Sequence, residues 1–234
     1  MNEHIVKSFE DELNTLAAEC ARMGGLTEAQ VADAITAVVK KNAKLASDVV
    51  GRDDRLDVLE AEIERKAIRL IALRQPMAND LRRTVAAMKI ASNLERCGDL
   101  AKNIAKRSLV IKDAGPMTAL TRPLDRMGKL VLGRLKEVLD AYTALDIERA
   151  RAVWTRDDEV DEHYNSLFRE LLTYMMGDPR TIEPCAHLLF VAKNLERIGD
   201  HATNIAEIVH YEITGEEMLS ARPKTDALGL EEAP

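Results

Sequence analysis

The chain has 234 residues, and its formal net charge of -7 argues against nucleic acid as its main ligand, because phosphate-backbone binding needs a concentrated basic face. It is rich in Ala, Leu, Glu, Arg and Lys and contains only 3% aromatic residues, a composition that favours helix over sheet. No apolar run approaches the roughly 18 to 20 residues needed to span a bilayer, and the N-terminus alternates in charge, so we expect a cytoplasmic protein.

The first part of the chain carries the apolar periodicity of a helix. Residues 5–23 place apolar side chains at spacings of three and four, as an amphipathic helix requires. We expect the glycine pair that follows, at 24–25, to break or kink this helix. Thr27 is then the predicted N-cap of a resumed helix, which bends near Asn42 before it continues.

Two more helices complete the first half. A core stripe of apolar residues after Asp53 predicts a middle helix that Pro76 closes. A third, longer helix is expected to begin at Asn79 or Asp80 and to run to about Leu109. The turn-forming sequence "KDAGP" at 112–116 is the predicted linker to the second half.

The second half repeats this order of elements. A first helix is expected from Thr121, a second after Asp146 as its cap, and a third from about Ile182, with the hairpin "GDP" at 177–179 before it. Beyond Gly215 the chain is acidic and has no apolar periodicity. We therefore predict an all-α fold of two tandem antiparallel three-helix bundles related by an internal repeat, at 1–113 and 117–215, with 216–234 as a flexible tail.

One motif occurs in both predicted third helices. The sequence "NLERCGDLAKNIAK" at 93–106 matches "NLERIGDHATNIAE" at 194–207 in most of its polar residues. In each copy a Glu and an Asp lie one helical turn apart and an Asn follows after another turn, namely Glu95, Asp99 and Asn103, and Glu196, Asp200 and Asn204. Like charges at this spacing weaken a helix, so the repeated acidic column needs a compensating reason.

A second acidic pair opens each predicted middle helix. Asp53 and Asp57 lie in "GRDDRLD", and Asp157 and Asp161 lie in "TRDDEVD". Because the middle and third helices of a bundle run antiparallel, the two pairs come to one level and place four carboxylates together. Such an oxygen-rich group suits iron, manganese, magnesium or calcium, with Asn103 or Asn204 as a neutral ligand, and also accepts zinc.

The alternative interpretation of these acids is a solvated helix face. Arg96 and Arg197 offer local salt-bridge partners, and one isolated acidic column would favour that interpretation. Paired columns in both halves favour a metal site instead. Catalytic motifs are missing from the sequence, which contains no GxSxG, P-loop or HExxH and lacks the two Glu-x-x-His pairs that mark di-iron bundle enzymes, so an enzyme is not indicated.

The motifs together resemble the PhoU family of bacterial phosphate-uptake regulators. The resemblance rests on "RQP" at 74–76, "DLR" at 80–82, "NLERCGD", "LTYMMGDPRTIEP" at 172–184 and "LLFVAKNLERIGDHATNIAEIV" at 188–209. It implies a cytoplasmic, non-enzymatic and often dimeric protein that acts with the phosphate ABC transporter and a membrane sensor histidine kinase. It also implies metal clusters at the Asp/Glu-xxx-Asp motifs, which here are the four acidic pairs named above.

Three functional hypotheses follow from these observations. The leading one is a signalling adaptor that contacts the transporter's ATPase subunit and the sensor kinase, reaches the membrane only through these partners, and forms a homodimer. A carboxylate-bridged di-metal enzyme would need His ligands within the bundle core, and the sequence has none at matching positions of the two halves. A metal-free helical scaffold would instead use its acidic residues to bind a basic surface of a partner.

Overall fold

The computed structural model describes residues 2–111 and 118–218, and these residues form eight α-helices and no strand. The helices are α1 (Asn2–Val39), α2 (Ala43–Arg52), α3 (Asp54–Arg74), α4 (Asn79–Ile111), α5 (Thr118–Ala144), α6 (Ile147–Thr155), α7 (Asp158–Gly177) and α8 (Ile182–Thr214). A short 3-10 turn, Pro179–Thr181, joins α7 to α8. The predicted fold class is confirmed: each half is a three-helix bundle whose middle helix is divided in two.

The glycine pair does not break α1, which continues through it to Val39, so the predicted break is wrong. A glycine costs a helix only about 1 kcal/mol relative to alanine, which the packing of a 38-residue helix overrides. A Cβ on Gly24 would lie 2.6 Å from Leu139 Cδ2, so the glycine allows α1 to approach α5 closely. The predicted N-cap, Thr27, is also wrong, because this residue is fully buried within α1.

The bends that follow the first helix of each half are confirmed at the predicted caps. Asn42 Oδ1 accepts a hydrogen bond from the Leu45 amide at 3.1 Å, and Asp146 Oδ1 accepts from the amides of Glu148 and Arg149, both at 3.1 Å. These contacts satisfy amides that have no partner within the first turn of α2 and α6.

The middle segment of the second half is not one continuous helix as predicted. Arg156, at φ -106 and ψ 21, leaves the helical region and separates α6 from α7. In the first half α3 ends at Arg74 and is followed by the left-handed Gln75, one residue before the predicted Pro76. Gly215, at φ 77, ends α8. The predicted linker at 112–116 and most of the predicted tail lie outside the described residues.

The two halves pack against each other through the long helices α4 and α8. Asn93 on α4 lies beside His201 on α8, and Arg107 lies beside His187, so the two helices run antiparallel. The α4–α8 contact is the most extensive between any two helices that the structure describes, and the buried apolar side chains of both halves form one cluster.

This antiparallel contact brings the two repeated motifs to the centre of the molecule. Asn204 Nδ2 donates to Asn93 Oδ1 at 3.3 Å. Gly98 lies five residues after Asn93 on α4, and Gly199 lies five residues before Asn204 on α8. Because the two helices run antiparallel, the two glycines lie at the same level. The acidic residues of both halves consequently lie near the point where α4 and α8 pack together.

Candidate functional site

The first acidic cleft, which we define as Asp53, Asp57, Glu95 and Asp99, lies where the start of α3 meets the motif on α4. Asp53 is 1% exposed, and its Oδ1 accepts a hydrogen bond from Gln30 Nε2 at 2.9 Å. Its other oxygen, Oδ2, forms an ion pair with Lys102 Nζ, which also lies 3.3 Å from Asp99 Oδ1. Lys102 thus links the two helices, and its hydrogen bond to Asp53 is the main reason that its pKa is raised.

The other two acids of this cleft show the electrostatic cost of the arrangement. Burial, and next the charge of Asp99, raise the pKa of Glu95 to about 7, while Arg96 acts in the opposite direction. Burial and the charge of Asp53 raise the pKa of Asp57 as well. The four predicted acids therefore do come into electrostatic contact, whereas the predicted amide ligand, Asn103, is solvent-exposed.

The second acidic cleft, which we define as Asp157, Asp161, Glu196 and Asp200, has different internal contacts. Asp157 is 4% exposed, and its Oδ1 accepts a hydrogen bond from Thr203 Oγ1 at 2.6 Å. Glu196 Oε1 lies 2.6 Å from Lys193 Nζ. The second oxygen of Glu196 is buried and has no hydrogen-bond partner among the residues that the structure describes.

The predicted amide ligand of the second half, Asn204, reaches across to the first half. Its side chain donates to Asn93 Oδ1, and His201 Nδ1 donates to the same oxygen at 2.9 Å. Burial lowers the pKa of His201, and the charges of Arg197 and Arg96 add to this effect. A role for Asn204 in binding a metal stays a prediction, since its hydrogen bond to Asn93 joins α4 to α8.

The two halves differ in the side chains that surround their acids. Lys102 and Thr203 occupy equivalent positions of the repeated motif, so the second cleft has no counterpart of the lysine. Gln30 is likewise replaced by Arg134, whose side chain is 2% exposed and whose Nη2 donates to Glu159 Oε2 at 3.0 Å. The internal repeat therefore preserves the acids, whereas Thr203 and Arg134 in the second half replace Lys102 and Gln30 of the first.

Sequence comparison of the two repeats could not identify Lys102 and Gln30 as members of the site. Both residues differ between the halves, whereas the acidic positions recur. The one available signal was the i, i+3 spacing of Asp99 and Lys102, which on a helix surface places opposite charges within reach of each other. That spacing alone does not reveal the contact of Lys102 with Asp53 on another helix.

The fit of these clefts to a metal ion is unequal. Within 2–111 and 118–218, no three His, Cys, Asp or Glu side chains are placed so as to hold an ion. In the first cleft the Lys102 ammonium already lies between two carboxylates, where a metal would bind, and the buried Asp53 holds it there. The first cleft therefore does not fit a metal while Lys102 is in place.

In the second cleft, Thr203 takes the position of Lys102. The lysine beside this cleft, Lys193, is 51% exposed and pairs with Glu196, whose side chain is 13% exposed. The other oxygen of Glu196 is buried and lacks a hydrogen bond in the described part of the chain. Carboxylate oxygens of this kind suit Mg²⁺, Mn²⁺, iron or zinc. An ion bound to them would cross-link α7 and α8.

No helix within the described ranges is both long enough and apolar enough to cross a membrane.

Comparison with known proteins agrees with the resemblance seen in the motifs. The sequence pattern of the PhoU domain matches residues 20–108 and 124–209, one match in each half. The chain is 68% identical to the phosphate-specific transport system accessory protein PhoU homolog of Caulobacter vibrioides, over 97% of this chain and 99% of that protein. It is 37% identical to the phosphate-specific transport system accessory protein PhoU of Escherichia coli, over 93% of this chain and 90% of that protein.

Solved structures agree with the sequence comparison. PhoU from Pseudomonas aeruginosa superposes with a TM-score of 0.86 at 38% identity, covering 89% of this chain and 100% of that one. The phosphate transport system regulatory protein PhoU from Streptococcus pneumoniae gives 0.83 at 30% identity, covering 89% and 98%. The relatives are named accessory or regulatory proteins and not enzymes. The PhoU domain pattern matches both halves, and the sequence similarity to family members covers almost the full length of the chain. The chain therefore belongs to the PhoU family.

Proposed function

We propose that this protein is an accessory regulator of phosphate transport that keeps the phosphate-starvation response off when phosphate is plentiful. The observation that carries this proposal is the 68% identity, over almost the full length of both chains, to a phosphate-specific transport system accessory protein homolog. The similarity extends through both halves, so the whole molecule, and not one bundle alone, is the unit to which the proposal applies.

The proposed mode of action is that of a cytoplasmic adaptor without catalytic activity. Its outer helical faces contact the ATPase subunit of the phosphate ABC transporter and a sensor histidine kinase, and it reaches the membrane only through them. The protein acts as a homodimer in this proposal. Support comes from the accessory and regulatory names of its relatives and from a surface built on two linked helical bundles, which offers separate faces to two partners.

Deletion of the gene in its own bacterium tests the regulatory proposal. With ample phosphate, the deletion strain is expected to express alkaline phosphatase or an equivalent starvation reporter, and a plasmid copy of the chain is expected to restore repression. Continued repression in the deletion strain would contradict the proposal. Co-purification of the tagged chain with the transporter ATPase subunit and with the kinase tests the two proposed contacts separately.

We also propose that the second acidic cleft binds a divalent or trivalent metal ion, namely iron, zinc, manganese or magnesium. The proposal rests on the carboxylates of the second acidic cleft, on the unpartnered oxygen of Glu196 in the described structure, and on the exposed position of Lys193. The ion would supply positive charge at the junction of α7 and α8. In the first cleft Lys102 performs this role without a metal.

Metal analysis of two matched variants tests this proposal. Asp57 and Asp161 occupy equivalent positions in the two clefts, so the Asp57→Ala and Asp161→Ala substitutions remove the same group from each half. Protein purified without chelator is expected to lose most of its bound metal in Asp161→Ala and little in Asp57→Ala. Metal content that does not change in Asp161→Ala would contradict the cation site and leave the regulatory proposal standing.

A further inference from the structure

A separate cavity lies between α1, α4, α8 and the end of α5. Its volume is about 330 Å³, near the lower limit of about 300 Å³ for small-molecule sites in proteins. The residues that decide its chemistry are Leu13, Leu16 and Ala17 on α1, Arg83 on α4, Tyr142 on α5 and Glu212 on α8. Arg83 precedes Glu95 by about three helical turns, so the cavity is distinct from the acidic clefts.

A buried carboxyl group forms one wall of this cavity. Glu212 is only 7% exposed, and its Oε2 has no hydrogen-bond partner among the described residues. A buried polar atom without a partner costs a folded protein free energy, so such an atom beside a cavity is a position where a bound donor would be stabilised. Burial also raises the pKa of Glu212 to about 7.

A basic group lies close to this carboxyl. The positive charge of Arg83 acts on Glu212 and lowers its pKa, in opposition to burial. Arg83 Nη2 donates to Asn14 Oδ1 at 3.2 Å, and a guanidinium group has five N–H donors in all. The cavity thus presents both an acid and a base beside the apolar side chains of α1.

Neither Glu212 nor Arg83 recurs at the equivalent position of the other half. The position equivalent to Arg83 in the second half is Pro184, and the position equivalent to Glu212 in the first half is Ile111. Only one end of the molecule can therefore have this pair, in contrast to the acidic clefts, which occur in both halves.

We propose that this cavity binds a small zwitterionic α-amino acid with a branched aliphatic side chain. Its ammonium group would donate to Glu212, its carboxylate would accept from Arg83, and its side chain would pack on Leu13, Leu16 and Ala17. A simple amine would satisfy Glu212 but be repelled by Arg83, and a simple carboxylate would have the converse defect, so a ligand with both charges is the best match. This site is independent of the proposed metal site.

Calorimetric titration of the full chain with three probes of similar shape tests the proposal. The probes are L-leucine, which carries both charges, 3-methylbutylamine, which has only the cation, and 4-methylpentanoate, which has only the anion. Leucine is expected to bind saturably at one site per chain, and each singly charged probe at least about tenfold more weakly, because one charged hydrogen-bonded pair is lost. Absence of saturable leucine binding, or equal binding of the three probes, would overturn the proposal.

Variants identify the cavity as the place of binding. Glu212→Gln and Arg83→Gln are each expected to weaken leucine binding at least about tenfold, for the same reason. Glu217→Gln removes an exposed carboxylate near the same end of the chain and is expected to leave the affinity unchanged. Leucine affinity that is unaltered in Glu212→Gln would overturn the site, and the probe comparison on the unsubstituted chain remains decisive if a variant fails to fold.

Discussion

At the level of single residues, the two acidic clefts have matching carboxylates but different side chains around them: Lys102 pairs with Asp53 in the first, and Thr203 donates to Asp157 in the second. A pair of Asp or Glu residues can be recognised in the sequence because it occurs in both halves. The position equivalent to Lys102 is Thr203, and the position equivalent to Arg134 is Gln30. Comparison of the repeats therefore does not identify these two charged residues. Only the packing of three helices shows that Lys102 reaches Asp53.

Lys102 is predicted to stabilise the first bundle without any metal. The Lys102→Thr substitution, which installs the residue found in the second half, leaves Asp53 buried with no ion-pair partner and is expected to lower the free energy of unfolding by about 3 kcal/mol. Urea denaturation measures this change. Lys106→Thr, at an exposed position one turn further on α4, serves as the control and is expected to change stability by less than about 0.5 kcal/mol. Equal effects of the two substitutions would contradict a special role for Lys102.

Glu212 is predicted to make stability depend on pH. Burial raises its folded-state pKa to about 7, whereas an unfolded Glu titrates near 4.3, so between these values the folded protein binds more protons than the unfolded chain. Its contribution to the free energy of unfolding therefore falls as pH rises from about 4.3 to 7, by about 3 kcal/mol. The groups that face it are Arg83, Tyr142 and Cys20, of which only Arg83 is charged in this range.

Urea denaturation at pH 5 and pH 8 isolates this effect when a variant is compared with the parent chain. Glu212→Gln is expected to retain more of its pH 5 stability at pH 8 than the parent does. The comparison is needed because His201, whose pKa is lowered by burial, contributes in the opposite direction. A pH dependence in Glu212→Gln identical to that of the parent would show that this carboxyl does not titrate as described.

At the level of secondary structure, the caps at the two bends could be predicted from the sequence, whereas the cap at Thr27 and the break at the glycine pair were wrong. Asn42 and Asp146 have side chains that cap a helix wherever the chain bends, so their role was visible locally. A glycine signals either a break or a close approach of another helix. The choice at Gly24 depends on Leu139, more than a hundred residues away, which local sequence does not show.

The two motif glycines provide a sensitive test of helix packing. A Cβ on Gly98 would lie 2.3 Å from Leu56 Cδ1, whereas a Cβ on Gly199 would meet Val160 at 3.4 Å, an ordinary contact. Gly98→Ala is therefore expected to destabilise the protein by about 1 kcal/mol, since Leu56 is buried and cannot move freely. Gly199→Ala is expected to stabilise it by up to about 1 kcal/mol through helix propensity.

Thermal and urea denaturation of both glycine variants measure these opposite changes. The substitution is chemically the same in the two halves and is made at equivalent positions of the motif, so each variant is the control for the other. Two stabilising substitutions would mean that Leu56 yields to the added methyl group without cost.

At the level of the whole molecule, the two bundles could be predicted but their mutual arrangement could not. Helical periodicity identifies which face of a helix is buried and leaves open what covers it. The long helices α4 and α8 bury faces against each other as well as within their own bundles, which joins both halves in one apolar core. This contact is also what brings the two acidic clefts to the same level of the molecule.

The most direct test of the difference between the clefts is anomalous diffraction from crystals of the full chain grown with Mn²⁺, Fe²⁺ or Zn²⁺, with data collected across the metal edge. The expected result is an anomalous peak among the carboxylates of the second acidic cleft, with Lys193 turned away, and no peak beside Lys102. A peak in the first acidic cleft with Lys102 displaced, or no peak in the second cleft at millimolar metal, would contradict the proposed division of roles.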